Sequence, residues 1–246
     1  SPDRARPDEA PWLAGKDCCP APGVWQPRSS RWLSQHFKQT VTSPKSTGGP
    51  AYPATFDSLI DPVALSKALR KLWADYASWL RFYFVSAADE LPDQAATLER
   101  LLQSQADIGN AFEPFFGDAI SRQLTELLQQ RIHLAVNFLD AVKAEDTEAM
   151  GRHREAWRAC SERLADLLSS LNPDHWPVQA MRASLRQLLD LTSVEIIARV
   201  HRDYPVDMGA YEQIHTLVLN LADLLTDGLI ERFPVRFPAG SAQASG

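Results

Sequence analysis

The chain has 246 residues, of which 45% are hydrophobic, 23% charged and 9% aromatic, proportions of a globular protein large enough to bury a substantial core. Its 25 Lys and Arg against 31 Asp and Glu leave a net charge of -6, which argues against a nucleic-acid binder. No window holds the roughly 18 uninterrupted apolar residues of a membrane-spanning helix, because the richest, residues 79–88, is short and contains Arg81. The first ten residues carry Asp3, Arg4, Arg6, Asp8 and Glu9 and are unlike the apolar region of a secretion signal; the expected location is cytoplasmic rather than periplasmic or secreted, although the first residues do not decide it.

Residues 1–54 form a first region. They hold nine of the 17 prolines, and seven basic residues against four acidic ones, so the remaining chain carries nine net negative charges. Proline at this density excludes long helices and ladders. Yet Trp12, Trp25 and Trp32 make the region richer in aromatics than disordered tails are. It is expected to be an extended arm that lays these tryptophans on a protein partner or a sister subunit, with one short helix over residues 30–40 and a linker over 42–53. Cys18 and Cys19 are adjacent and poorly placed to bridge each other. With Cys160 they read as free thiols, a Cys19–Cys160 bridge being the alternative.

From Asp61 onward the pattern is helical. Asp61-Pro62 supplies an N-cap and a first-turn proline, and Leu65, Leu69, Leu72, Tyr76, Trp79, Leu80 and Tyr83 follow at spacings of three and four. A second helix opens at Pro92-Asp93 and runs through Leu101, Ile108 and Phe112 to a turn over Pro114–Gly117. Asp118 starts a third that ends near Glu145, and Thr147 a fourth that Asn172-Pro173 stops. Pro177 opens a fifth, and Asp207 a sixth that ends at Phe233-Pro234. No run of strands appears. The expected fold is all-α, an antiparallel bundle of about six helices over residues 55–238, after the arm and before a small polar tail, 239–246. Sliding the chain by 116 residues lays Leu69-Arg70, Leu72, Leu101 and Asp107 on Leu185-Arg186, Leu188, Leu217 and Asp223. The first and last helix pairs are then two pseudo-repeated hairpins, although chance accounts equally well for so few identities.

Motifs for catalysis are missing: no glycine-rich phosphate loop, no nucleophile elbow, and no two histidines three or four residues apart. The best constellation is Glu195 with His215 and Asp223, on faces that also carry Leu188, Leu191, Leu219 and Ile230; the 116-residue register adds Asp107 and Glu99. Inward carboxylates with an imidazole suit a divalent metal or a proton relay. The competing reading, a satisfied polar network between packed helices, is the commoner use of such groups. Arg152, His153, Arg154 and Arg158 read as a solvated helix face, and Trp176 as a loop anchor beside a solvent-facing His175. An apolar ligand among Trp73, Trp79, Phe82 and Phe84 is a further reading, against plain core.

Leu72-Trp73, Trp79, Arg100-Leu101-Leu102, Asp107-Ile108-Gly109-Asn110 and Pro114–Asp118 occur in one order with Ala141–Asp146, Trp157, Leu167–Pro173, Leu191-Thr192, Glu195, Ala222-Asp223 and Phe233-Pro234. Over residues 65–234 this arrangement resembles a group of small bacterial helical proteins of unknown function, which often carry the names glycosyltransferase or acetylglutamate kinase. Neither enzyme class is built from helices without a nucleotide-binding sheet. The resemblance implies inward histidines at the positions of Tyr76, Arg131 and Leu188, a set suited to a metal or cofactor. This chain lacks all three and adds the arm. The leading expectation is therefore a non-catalytic bundle acting as an interaction or assembly module through its arm. The alternative is a metal- or small-cofactor-binding bundle, with an enzyme as one form of it, that uses Asp107, Glu195, His215 and Asp223.

Overall fold

The computed structural model describes residues 59–238, so the arm with Trp12, Trp25, Trp32, Cys18 and Cys19, and the tail, lie outside the described residues. Six helices follow one another: α1 (Pro62–Ala88), α2 (Gln94–Phe116), α3 (Asp118–Lys143), α4 (Thr147–Leu171), α5 (Val178–Val200) and α6 (Tyr204–Arg232). A 3₁₀ turn, Pro234–Arg236, completes the described chain, which contains no strand. Short loops make successive helices antiparallel. Each packs on the next, and α6 packs back on α1, closing a ring. α5 also touches α1 and α3, its non-neighbours.

Local chemistry sets the helix ends. The side chains of Asp61, Asp146 and Asp203 accept from the amides of Val63, Ala149 and Val206 at 3.0, 2.9 and 3.3 Å and so cap α1, α4 and α6. Two expected boundaries move. The turn expected over Pro114–Gly117 contracts to Gly117 alone, because α2 carries Pro114 inside its last turn; Gly117 has φ +82°, which a residue with a Cβ adopts at a cost. The sixth helix begins at Tyr204 behind Asp203, not at Asp207, which is buried in its first turn.

The C-termini of α1, α3 and α5 share one end of the bundle and one device. Leu91, Asp146 and Asp203 return their amides to the carbonyls of Ser86, Ala141 and Ala198 at 2.9, 3.0 and 2.8 Å, the six-to-one bond of a Schellman cap. The left-handed residue is Glu90, Glu145 or Arg202, with φ of 54°, 55° and 61°, where glycine is usual. At the opposite end, Phe112, Phe115 and Phe116 of α2 meet Trp176, Phe233 and Phe237, with ring centroids 5.3–6.4 Å apart. Trp176, the expected loop anchor, is fully buried; its indole donates to the Leu224 carbonyl at 3.1 Å, and Asn172 donates to that of Gly228 at 2.8 Å. His175 beside it is half-buried rather than solvated. The Ile60 amide donates to the Arg236 carbonyl at 2.7 Å and ties the two ends of the described chain.

Two substitutions probe these devices by denaturant unfolding. A Cβ on Gly228 would stand 2.0 Å from Trp176 Nε1, so Gly228→Ala is expected to destabilise by about 2–3 kcal/mol. Glu145→Gly relieves a left-handed side chain and is expected to stabilise by about 1 kcal/mol. An unchanged midpoint in either variant would overturn the corresponding account.

Candidate functional site

Where the C-termini of α1 and α5 meet the N-terminus of α6, charged side chains enter the core. Asp207 has no exposed surface. Arg81 from α1 grips both of its oxygens, Nη1 on Oδ1 and Nη2 on Oδ2, the latter at 2.8 Å, and Nη1 also reaches Glu195 Oε1 on α5 at 3.0 Å. Arg199, in the last turn of α5, lies 3.5 Å from Asp207 Oδ2 and donates to Asp89, just beyond α1, at 2.8 Å. The Arg81 guanidinium stacks over Tyr211, whose ring stands 6.1 Å from that of His215, and Arg199 stacks over Tyr204. Two buried polar atoms of this group, Glu195 Oε2 and Arg199 Nε, have no hydrogen-bond partner among the described residues.

Burial pushes the Glu195 carboxyl up to about 7, against the opposing pull of Arg81. Asp207 adds to the rise, because two carboxylates compete for one guanidinium. Two arginines face Asp207 and Asp89, which already balance their charge; Glu195 is the third acid and the one that accepts a proton.

The four residues expected as metal ligands do not come together. Glu195 is fully buried, as expected, but held by Arg81. Asp107 is buried, yet its partners lie on its own helix: Gln103 Nε2 at 3.1 Å and Arg100 at 3.5 Å, with Arg100 over Trp79. Asp223 sits at the half-exposed surface, paired with Arg70 of α1. His215 is half-buried against Tyr211. The physical reason is that three of the four have arginines within reach, which neutralise each carboxylate where it stands. Among the described residues no three His, Cys, Asp or Glu side chains could hold one metal ion.

Other expectations resolve in the same way. Arg152 pairs with Glu148, Arg154 with Asp190, and Arg158 with Glu155 and Glu162, so the basic stripe is a paired, solvated face. Phe82 is 53% exposed and does not line an interior with Trp73 and Phe84. Cys160 is a buried free thiol.

A second polar group lies deeper, at mid-height of the bundle. Arg131 of α3 is 3% exposed, and its Nε donates to Ser161 Oγ of α4 at 3.1 Å. No carboxylate among the described residues lies within ion-pair distance of it. Tyr76 of α1, equally buried, senses the charges of Arg131 and Glu195, while burial raises its phenol above the usual range and keeps it a donor. Sequence spacing gave no sign of either arginine's role, since long basic side chains at the edge of an apolar stripe usually extend to solvent.

No family model, no curated protein and no solved structure matches the chain.

The proton on Glu195 makes a prediction. A carboxyl raised from 4.5 to about 7 on folding stabilises the protein fully below the ordinary carboxylate range, and that contribution drains away as pH rises through about 7. The loss is on the order of 3 kcal/mol between pH 4.5 and 8. Glu195→Gln keeps an oxygen for Arg81 and removes the titration. Its stability, followed by denaturant unfolding, is expected to be flatter over this range and to exceed that of the native chain at pH 8. Parallel pH profiles would sink this assignment.

Proposed function

We propose that the protein is a non-catalytic helical bundle that works by association, as an interaction or assembly module whose arm, residues 1–54, reaches a protein partner or a second copy. One observation carries the reading. The charged groups that offered chemistry are engaged by arginines in ties between helices, whereas the α5–α6 corner presents large apolar side chains to solvent. Val194 and Ile197 on α5, then Tyr204, Val206 and Met208 at the start of α6, are all exposed, Met208 by 53%. Single exposed apolar residues are ordinary, but five within fifteen positions of one corner form the kind of surface that partners cover. No helix among the described residues is long and apolar enough to cross a membrane, so a lipid span does not explain this surface.

Kinship with the small bacterial helical proteins is part of the same proposal. The six-helix architecture supports it, as does the burial of Tyr76, Arg131 and Leu188 at the three positions where those proteins carry histidine. The metal- or cofactor-binding reading has one supporting observation, the unpartnered Glu195 Oε2, and needs further ligands that the neighbouring arginines do not supply.

Native mass of the full chain is the test. A mass above the 27.4 kDa of one chain is expected, and it should fall to a single chain in the triple variant Trp12→Ala, Trp25→Ala, Trp32→Ala and in Met208→Glu, with helical content unchanged. A single-chain mass in the native protein, with no retained partner, would overturn the proposal. One equivalent of a transition metal in protein purified without chelator would move the assignment to the metal reading.

A further inference from the structure

The first turn of α6 is held to the bundle by charge rather than by apolar packing. Tyr204, Pro205, Val206 and Met208 are exposed, and Asp207 is the one side chain of residues 204–209 that is buried. Arg81 of α1 holds both of its oxygens, and Arg199 of α5 stands 3.5 Å from Oδ2. Glu195 joins the cluster through Arg81 Nη1 at 3.0 Å, and Asp89 through Arg199 at 2.8 Å. Three acids therefore face two arginines. Glu195 Oε2 is buried with no donor beside it. Fully ionised, the cluster carries one uncompensated negative charge, which a core tolerates poorly; one proton on Glu195 restores the balance. The other titratable and charged groups around Glu195 are engaged elsewhere or lie outside the cluster. Tyr76 of α1 is buried and senses its charge; Tyr211 of α6 lies under Arg81, with His215 beside it. Arg131 of α3 donates to Ser161, and Arg154 and Asp166 of α4 pair with Asp190 and Arg182 of α5. His201, just past α5, is exposed, its Nδ1 2.9 Å from the Ile197 carbonyl.

We propose that the proton on Glu195 latches the α5–α6 corner, and that its loss lets the first turn of α6 swing away from α1 and α5 while the rest of the bundle stays folded. Expelling one acid balances the ionised cluster, since Arg81 keeps Glu195 and Arg199 keeps Asp89. Asp207 is the acid free to leave, because its turn has no other buried side chain, whereas Ala210 and Ile214 further along α6 stay packed. Residues 201–203 are the hinge: Arg202 stands in the left-handed region at φ 61°, and the Asp203 amide closes the Schellman bond to the Ala198 carbonyl at 2.8 Å. Val194 and Ile197 lie on one side of this hinge and Val206 and Met208 on the other, so opening takes apart the apolar surface they form. The latch is a property of the single chain; only its control over association rests on the function proposed above.

Amide hydrogen exchange of the full chain at pH 6 and pH 8, corrected for the intrinsic exchange rate, tests the latch. The opening constant of residues 199–210 is expected to rise about tenfold between the two, the value for a carboxyl held at about 7 when latched and in its ordinary range once released. Low denaturant is expected to change this opening little, because it exposes little surface. Amides of α2, residues 101–112, are expected to exchange more slowly and with the full denaturant dependence of global unfolding. In Glu195→Gln the corner is expected to exchange alike at both pH values, although His201 and His215 remain. Corner amides that match those of α2 in rate and denaturant dependence would overturn the proposal, as would a tenfold rise that persists in Glu195→Gln. The first comparison is made on the native chain and decides even if the variant does not fold. Native mass enters neither readout, so a protein that fails to associate can still carry the latch.

Discussion

A ring of six helices has five covalent connections and one that is not covalent, the contact of α6 with α1, and the buried carboxylate of Asp207 is placed where that contact must close. Arg81 brings α1 to it and Arg199 brings α5, while Asp89 ties the end of α1 to the same arginine. Apolar packing holds most of the bundle together, but it is non-directional and tolerates sliding of one helix along another. A bidentate guanidinium–carboxylate pair does not tolerate it. Buried ion pairs are often no more stabilising than well-packed apolar groups, so the contribution here is to register: α1, α5 and α6 are fixed at one height. Asp207 also lies in the first turn of α6, where the helix dipole favours a negative charge, and Arg199 lies in the last turn of α5, where it favours a positive one.

The two ends of the bundle solve the same closure problem with different chemistry. At the charged end, α1, α3 and α5 finish in Schellman caps whose left-handed residues carry side chains, which costs conformational energy. At the other end, Trp176 fills the space left by Gly228 on α6, and phenylalanines of α2 pack on Phe233 and Phe237 after it. The aromatic end draws its stability from area removed from water. The charged end carries the proton of Glu195, so its contribution to stability changes with pH.

Much of the fold was legible in the sequence, because helix periodicity and capping are local. Asp61-Pro62, Asp118, Thr147 and Asn172-Pro173 mark real boundaries. Asp207 misled because an aspartate near a helix start serves equally well as a cap or as a buried charge, and only the position of Arg81, 126 residues away, decides between them. Pro114 misled because a proline near the end of a helix removes one amide without ending it: α2 runs on to Phe116, and the Gly117 amide still returns to the Glu113 carbonyl at 2.8 Å. Glu90, Glu145 and Arg202 gave no turn signal because they are not glycines. In the candidate site, the inward position of Glu195 and Asp107 could be read from the apolar stripe beside them. Their partners could not, since spacing along a chain does not say which arginine comes to rest against which acid.

The two buried arginines are held by different chemistry, Arg81 by carboxylates and Arg131 by a hydroxyl. Selection against uncompensated buried charge is strong, and this protein shows that its fold can satisfy the rule: Arg81 finds two carboxylates, Glu195 and Asp207, 114 and 126 residues away in the chain. Arg131 lies in the same core, where its Nε donates to the Ser161 hydroxyl of α4. A hydroxyl holds a guanidinium by a single hydrogen bond, so this tie of α3 to α4 constrains register less than the bidentate tie of α1 to α6.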